Sequence, residues 1–116
     1  MNTKASLNYI KYLHLTNAVN ELPQFPLLDP VEERILNKLA LTWYADIKPT
    51  VLEAINAYPD ASPSTVHKRL VILRKKGLID LNVDQIDNRI KYIVPTDFTD
   101  SYFSHLGQCL PKAVDA

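Results

Sequence analysis

The chain is poor in glycine, cysteine and histidine, and each scarcity argues against one class of site. Its 116 residues include only 2 glycines, so the sequence has no glycine-rich loop for binding phosphate groups. The single cysteine, Cys109, excludes an intramolecular disulfide framework and fits a reducing cytosol. The histidines His14, His67 and His105 are far apart, and His105 with Cys109 would supply only two zinc ligands. We therefore expect no metal, no cofactor and no enzymatic activity.

Long apolar runs and net charge are also missing. No stretch approaches the about 18 apolar residues of a membrane span, and the first residues lack the apolar core of a signal peptide. We expect a cytoplasmic protein without membrane contact. The 13 Lys and Arg residues balance 13 Asp and Glu residues, so attraction to nucleic acid must come from local asymmetry. The length suits a single domain over 1–116.

The clearest local asymmetry lies in residues 62–76, which the sequence predicts to be a helix. Ser62 can cap its start with the side-chain hydroxyl, and Pro63 then occupies the first helical position, where its missing N–H costs nothing. Two lysines followed by Gly77 are typical of a helix end, because cations suit the terminal carbonyls and glycine can turn left-handed.

The predicted helix has two different faces. Val66, Leu70 and Leu73 follow the i, i+4, i+7 spacing of a stripe that packs into a core. Residues 61–79 contain five Lys or Arg and no acid. The polar and basic residues away from the stripe are Ser64, Thr65, His67, Lys68, Arg74 and Lys75. Such a face suits the major groove of DNA, although a charged helix face is often simply solvated.

The segments around this helix complete a helix-turn-helix with a hairpin. Residues 78–83 and 89–94 are rich in strand-forming side chains, and turn-forming residues lie between them. On the N-terminal side, Thr50 and Glu53 have the spacing of a capping box and start a short helix to about Tyr58, with Leu52 facing inward. This order is that of a recognition helix followed by a wing.

The flanking regions are predicted to be helical. Residues 4–21 form a first helix, and Asp29 with Pro30 opens a second. An extended piece over 45–48 is expected beside the wing. The last helix covers 97–110, and Gly107 or Pro111 is expected to end it. The fold class is therefore mainly α with a small β-hairpin, a winged helix-turn-helix over 29–96 with flanking helices.

The ordered motifs resemble those of the multiple-antibiotic-resistance-repressor (MarR-like) winged-helix regulators over about residues 29–97. They are Ser64-Thr65-Val66, Leu73, Lys76-Gly77-Leu78-Ile79, Asp87-x-Arg89 and Thr96. The resemblance implies a dimeric repressor or activator with residues 62–76 in the major groove and the 84–89 loop near the minor groove. It also implies that the first helix joins the dimer interface, whereas the residues alone are equally consistent with packing of that helix on its own domain. Small-molecule effectors are common in that family, but no residue here identifies one.

The first functional hypothesis is a sequence-specific regulator of double-stranded DNA. Residues Ser64, Thr65 and His67 would read base edges. The phosphate contacts would come from Lys68, Arg74 and Lys75. Arg89 would either reach into the minor groove or form an ion pair with Asp87 that shapes the hairpin.

The second hypothesis is a winged-helix module that binds protein and no DNA. Zero net charge favours it, as do Asp80, Asp84 and Asp87 in the predicted wing. The neighbouring apolar residues Val71 and Ile72 favour it too, because an exposed apolar pair on the outer side of a helix marks a protein-binding surface.

Overall fold

The computed structural model describes residues 3–20 and 24–115, without the side chains of residues 15, 16, 18–20 and 109–115. The described residues group into two compact units, one covering Leu28–Thr99 and the other the residues on either side of it. The single domain expected over 1–116 stays a prediction. No helix in the described part of the chain is both long and apolar enough to cross a membrane.

Side-chain caps start the three helices of the Leu28–Thr99 unit, as the sequence predicts. These helices are α2 (Pro30–Tyr44), α3 (Val51–Asn56) and α4 (Pro63–Lys75), numbered after the first helix of the chain, α1 (Lys4–Asn20). Asp29 and Thr50 each form a full capping box with the glutamate three residues later. Ser62 accepts a hydrogen bond from the backbone N–H of Thr65. Each cap satisfies N–H groups that the helix itself leaves unbonded.

A left-handed residue leads from α4 into the hairpin. Gly77 has a φ of 81°, and the next residue, Leu78, donates its N–H back to the carbonyl of Leu73 over 3.0 Å. The strands β1 (Ile79–Val83) and β2 (Lys91–Pro95) then pair antiparallel, with Ile79 opposite Pro95. Three helices followed by a two-stranded wing confirm the predicted winged helix-turn-helix fold.

The core of this unit is built around the inner stripe of α4. Val66, Leu70 and Leu73 are buried, as their spacing predicts. They lie in the core with buried residues of α2 and the hairpin, namely Ile35, Leu36, Leu39, Ile79 and Ile93. Because apolar burial holds this stripe inward, the opposite face of α4 is left on the outside of the unit.

Two expectations for the segment before α4 are wrong. Residues 45–48 form no strand, since Asp46 has a left-handed φ of 61°. The extended contact comes later, where the Pro49 carbonyl accepts from the Ile93 N–H over 2.7 Å and Thr50 bridges Tyr92. Leu52 is 67% exposed rather than facing inward, because a six-residue helix turns only one narrow side to the core and Ala54 occupies it.

The other unit contains α1 and most of the last helix, α5 (Asp97–Asp115). The prediction for α1 is confirmed except at Glu21, which lies outside the described residues. The predicted end of the last helix at 110 is wrong, because the helix continues past Gly107 and Pro111 to Asp115. An interior glycine costs only about 1 kcal/mol, and proline removes one backbone hydrogen bond without always ending a helix.

Candidate nucleic-acid interface

The N-terminal half of α4 carries the three residues predicted to read base edges. Ser64 and His67 are exposed. Thr65 is half-buried, and its hydroxyl oxygen accepts a hydrogen bond of 2.8 Å from the Ser62 hydroxyl. This second role of Thr65, in the helix cap, was not predicted from the sequence. Ser64 and His67 therefore offer the more open polar groups, and Thr65 lies at the edge of the face.

The predicted phosphate contacts also lie on the outside of α4. Lys68, Arg74 and Lys75 are exposed. Arg74 Nε lies 3.3 Å from Asp80 Oδ1, and both side chains are more than half exposed, so solvent weakens this ion pair. No carboxylate in the described part of the chain lies within ion-pair distance of Lys68 or Lys75. These two lysines are therefore the cations of α4 best placed to meet an anionic partner.

The remaining two cations of this segment turn toward α2, where they form what we call the Glu32 cluster: Asp29, Glu32, Arg69 and Lys76. Arg69 Nη1 lies 2.5 Å from Asp29 Oδ2 and 3.4 Å from Glu32 Oε2. Lys76 Nζ lies 2.5 Å from Glu32 Oε1. The Glu32 side chain is only 3% exposed.

By its sequence position alone, Glu32 is one of two acids in the first turn of α2, where a negative charge suits the helix dipole. Its acidic character and position were visible, but its partners lie 37 and 44 residues away along the chain. No local pattern links residues at such separations. The outcome is that two of the five cations in residues 68–76 bind the buried Glu32, and a third, Arg74, pairs with the exposed Asp80.

An aspartate organises the loop at the tip of the wing. Asp84 Oδ1 accepts the backbone N–H groups of Asp87 over 3.0 Å and of Ile86 over 2.8 Å. The Tyr92 hydroxyl donates to Asp84 Oδ2 over 2.9 Å. These donors, with the backbone bonds first, hold the pKa of Asp84 below its usual range, and the hydrogen bond to Asp84 raises the pKa of Tyr92. The wing acid therefore serves the loop structure.

Arg89 forms the ion pair that was one of its two predicted roles. Its Nε lies 3.0 Å from Asp87 Oδ1, and its Nη2 donates to Asp87 Oδ2 over 3.1 Å. This two-point hydrogen bond lowers the pKa of Asp87 and raises the pKa of Arg89. The Arg89 side chain nevertheless remains 86% exposed, so the pair shapes the loop while the guanidinium stays on the surface.

Two adjoining grooves bring several predicted site residues together beside the hairpin. The first, of about 440 Å³, has the predicted residues His67, Arg74 and Lys75 in its lining, together with apolar side chains that include Val71. The second, of about 660 Å³, also contains His67 and reaches Arg89. Ser64, Thr65 and Lys68 line neither groove.

The second groove includes a basic residue that the sequence analysis missed, Lys91. It is exposed on β2, opposite Val83. Lys91 lies two residues after Arg89, and side chains two residues apart on a strand point to the same side. This spacing could have predicted that Lys91 points outward.

The described side chains form no group of three or more histidine, cysteine, aspartate or glutamate residues close enough to hold a metal ion. The side chain of Cys109 lies outside the described residues, so the structure does not test whether His105 and Cys109 lie close together.

Comparison with known proteins identifies the fold through solved structures. No protein-family model and no curated protein sequence matches the chain. A MarR-like transcriptional regulator from Thermotoga maritima is 22% identical with a TM-score of 0.58, over 75% of this chain and 60% of that one. The present chain thus spans less than two thirds of the length of that protein.

Two further structures have the same fold. The heme sensor protein PefR of Streptococcus agalactiae, solved with heme, is 18% identical with a TM-score of 0.62, over 90% of this chain and 67% of that one. BpsR of Bordetella bronchiseptica, whose DNA binding is regulated by 6-hydroxynicotinic acid, is 14% identical with a TM-score of 0.51, over 91% and 73%. The chain therefore has the winged-helix fold of MarR-like regulators.

Proposed function

We propose that the chain is a sequence-specific regulator of transcription that binds double-stranded DNA, with α4 in the major groove and the 84–89 loop near the minor groove. The observation that carries the proposal is the division of α4 into a buried stripe and an exposed face. That face presents Ser64, Lys68 and Lys75 to solvent. A helix that offers hydroxyls and cations in this way matches base edges and phosphates.

The residues divide by chemistry into two kinds of contact. Ser64, Thr65 and His67 at the start of α4 read base edges, since short polar side chains can donate to and accept from bases. Phosphates are bound by lysine and arginine side chains. The residues with this second role are Lys68, Arg74 and Lys75 on α4. Arg89 on the wing reaches instead into the minor groove, where a narrow A·T-rich tract has a more negative potential.

The structural neighbours support a regulatory role rather than a catalytic one. The Thermotoga protein is described as a transcriptional regulator, and the DNA binding of BpsR is regulated by a small molecule. PefR senses heme instead. Heme and 6-hydroxynicotinic acid are different ligands, so the structural likeness identifies no effector for this chain. We propose neither a defined effector nor an enzymatic activity.

A protein-interaction module that binds no DNA is the second candidate. The observation in its favour is the apolar groove beside α4. Val71 is 42% exposed and forms part of that groove. An apolar surface of this kind buries well against a partner protein but contributes little to phosphate contacts.

Selection of bound sequences from a random pool of double-stranded DNA tests the proposal directly. We expect one enriched motif, and we expect affinity for it to fall steeply as salt rises, because phosphate contacts release counterions. Val71→Asp should abolish this binding in folded protein, since a carboxylate on the outer side of α4 repels phosphate. A pool without enrichment, or binding that is insensitive to salt, would favour the protein-interaction module.

A further inference from the structure

We propose that Glu32 is a positioning residue for recognition: through the Glu32 cluster it sets the rotation of α4 about its own axis, and with it the sequence specificity of the outer face. The inference rests on the proposed function. It concerns a residue of α2 whose side chain is nearly buried and belongs to neither groove.

The cluster holds α4 at two separate points. Arg69 and Lys76 are seven residues apart, which is two helical turns and about 10 Å along the axis, so both lie on the same flank. Glu32 binds both, through Oε2 to Arg69 at 3.4 Å and through Oε1 to Lys76 at 2.5 Å. Asp29 adds a second carboxylate on Arg69. Two ion-pair contacts on the same side of α4 therefore oppose rotation of the helix about its axis as well as its translation.

The other contacts of α4 constrain rotation less. The inner stripe of Val66, Leu70 and Leu73 is held by apolar burial, which depends on area and has little directional preference. Charge-assisted hydrogen bonds are short and directional, and a buried carboxylate that faces two cations has few alternative arrangements. The buried stripe therefore fixes which face of α4 is outward, and the Glu32 cluster fixes the small rotations that remain.

Small rotations matter for reading bases. A recognition side chain must be held within about 0.5 Å and 10–20° of its working geometry to form a specific contact. Phosphate contacts by long lysine side chains tolerate larger displacements, because the ammonium group is a point charge on a flexible stem. A loosened α4 should therefore lose discrimination between sequences while it keeps its general affinity for DNA.

Glu32→Gln tests this with little other disturbance. Glutamine can still accept the Asp29 N–H, which Glu32 Oε1 accepts at 3.3 Å, so the capping box of α2 is kept. The charge facing Arg69 and Lys76 is lost, and one acceptor oxygen becomes an NH2 group, which cannot accept a hydrogen bond from the Arg69 guanidinium. Glu33→Gln is the matched control, because Glu33 is exposed in the same turn and the charge change is identical.

The measurement is the ratio of dissociation constants for a scrambled and the selected duplex, taken on folded protein well below the unfolding midpoint. We expect the ratio to fall about tenfold in Glu32→Gln, with binding to the scrambled duplex undiminished, and to stay at the wild-type value in Glu33→Gln. A residue that only stabilises the fold would lower the midpoint and leave this ratio alone. A Glu32→Gln ratio within about twofold of wild type overturns the inference.

Lys76→Gln keeps the test decisive if Glu32→Gln does not fold. It removes the contact with Glu32 from the other side and should by itself lower the ratio, and a Lys76→Gln ratio within about twofold of wild type overturns the inference as well. Where Glu32→Gln does fold, the double variant should show no further loss, because Glu32→Gln already removes this contact along with the one to Arg69. Additive losses would overturn the shared positioning role. If the wild-type protein itself binds DNA without any sequence preference, the proposed function is wrong, and this inference is wrong with it.

Discussion

Lysine and arginine side chains of one short segment have different surroundings, and the difference decides what each can do. Lys68 lies on the outer face of α4 with no carboxylate of the described chain in ion-pair range, whereas its neighbour Arg69 contacts two. A cation that already has an internal partner must break that contact before it can bind phosphate. We therefore expect Lys68 and Lys75 to dominate the electrostatic part of DNA binding.

Lys68→Ala should weaken binding to selected and scrambled DNA alike. One fewer counterion is released on binding, so the slope of log affinity against log salt should become shallower by about one unit. The measurement is a fluorescence-anisotropy titration at several salt concentrations. Lys4→Ala is the control, since Lys4 is an exposed lysine of α1, outside the winged-helix unit. A slope that is unchanged in Lys68→Ala would mean that this lysine does not contact phosphate.

At the scale of elements, the acidic residues of the wing have a structural role within the proposed DNA-binding unit. Asp84 accepts from two backbone N–H groups and a phenol, and Asp87 binds Arg89. Both carboxylates therefore hold the loop in one shape. Their negative charge still opposes close approach to phosphate, so we expect the wing to contribute less to affinity than α4 does.

The hydrogen bond between Tyr92 and Asp84 should make the stability of the wing loop depend on pH. Because the pKa of Asp84 lies below its ordinary value of 3.8, the stabilisation of the loop is fully present above about pH 3.8 and is lost as the pH falls through the lower, folded-state pKa. Tyr92→Phe removes one donor to the carboxylate and should raise the pKa of Asp84 toward 3.8. Carboxyl-carbon NMR titration measures the shift.

Tyr44→Phe provides the comparison for this titration, because it removes a phenol hydroxyl from a tyrosine that is almost fully exposed. Asp84 should titrate as in wild type there. If Tyr92→Phe also leaves the titration of Asp84 unchanged, the phenol hydrogen bond does not help to hold the loop.

At the scale of the whole molecule, the first helix offers apolar surface for a partner subunit. Tyr9 is 61% exposed on α1, and Leu7 and Leu13 of the same helix are exposed as well. We propose that the chain forms a homodimer through its terminal helices. Two recognition helices about one turn of DNA apart would then require a pseudo-palindromic target.

Sedimentation velocity at tens of micromolar should show a dimer. Tyr9→Asp should shift it toward monomer, because the carboxylate would lose its hydration in an apolar interface. Asn17→Asp introduces the same charge at an exposed polar position of α1 and should leave the dimer intact. A wild-type monomer at this concentration, with and without DNA, would contradict the dimer.

The sequence by itself determined the features whose causes lie within a few residues. The caps at Asp29, Thr50 and Ser62 act on backbone groups two or three positions away, and the buried stripe of α4 follows helical spacing. The left-handed turn at Gly77 and the hairpin after it depend on neighbouring residues too. For this reason the order of elements and the exposed face of α4 could be predicted.

Only the tertiary structure decided which cations of α4 remain open to a partner. Helical spacing places Lys68 away from the buried stripe, but it does not reveal the ion pairs of Arg69, because the carboxylates involved belong to α2, far away along the chain. The outward position of Leu52 depended likewise on which side of a short helix meets the core. Such outcomes follow from packing between distant elements, because ion pairing and burial depend on distances in space that local spacing does not contain.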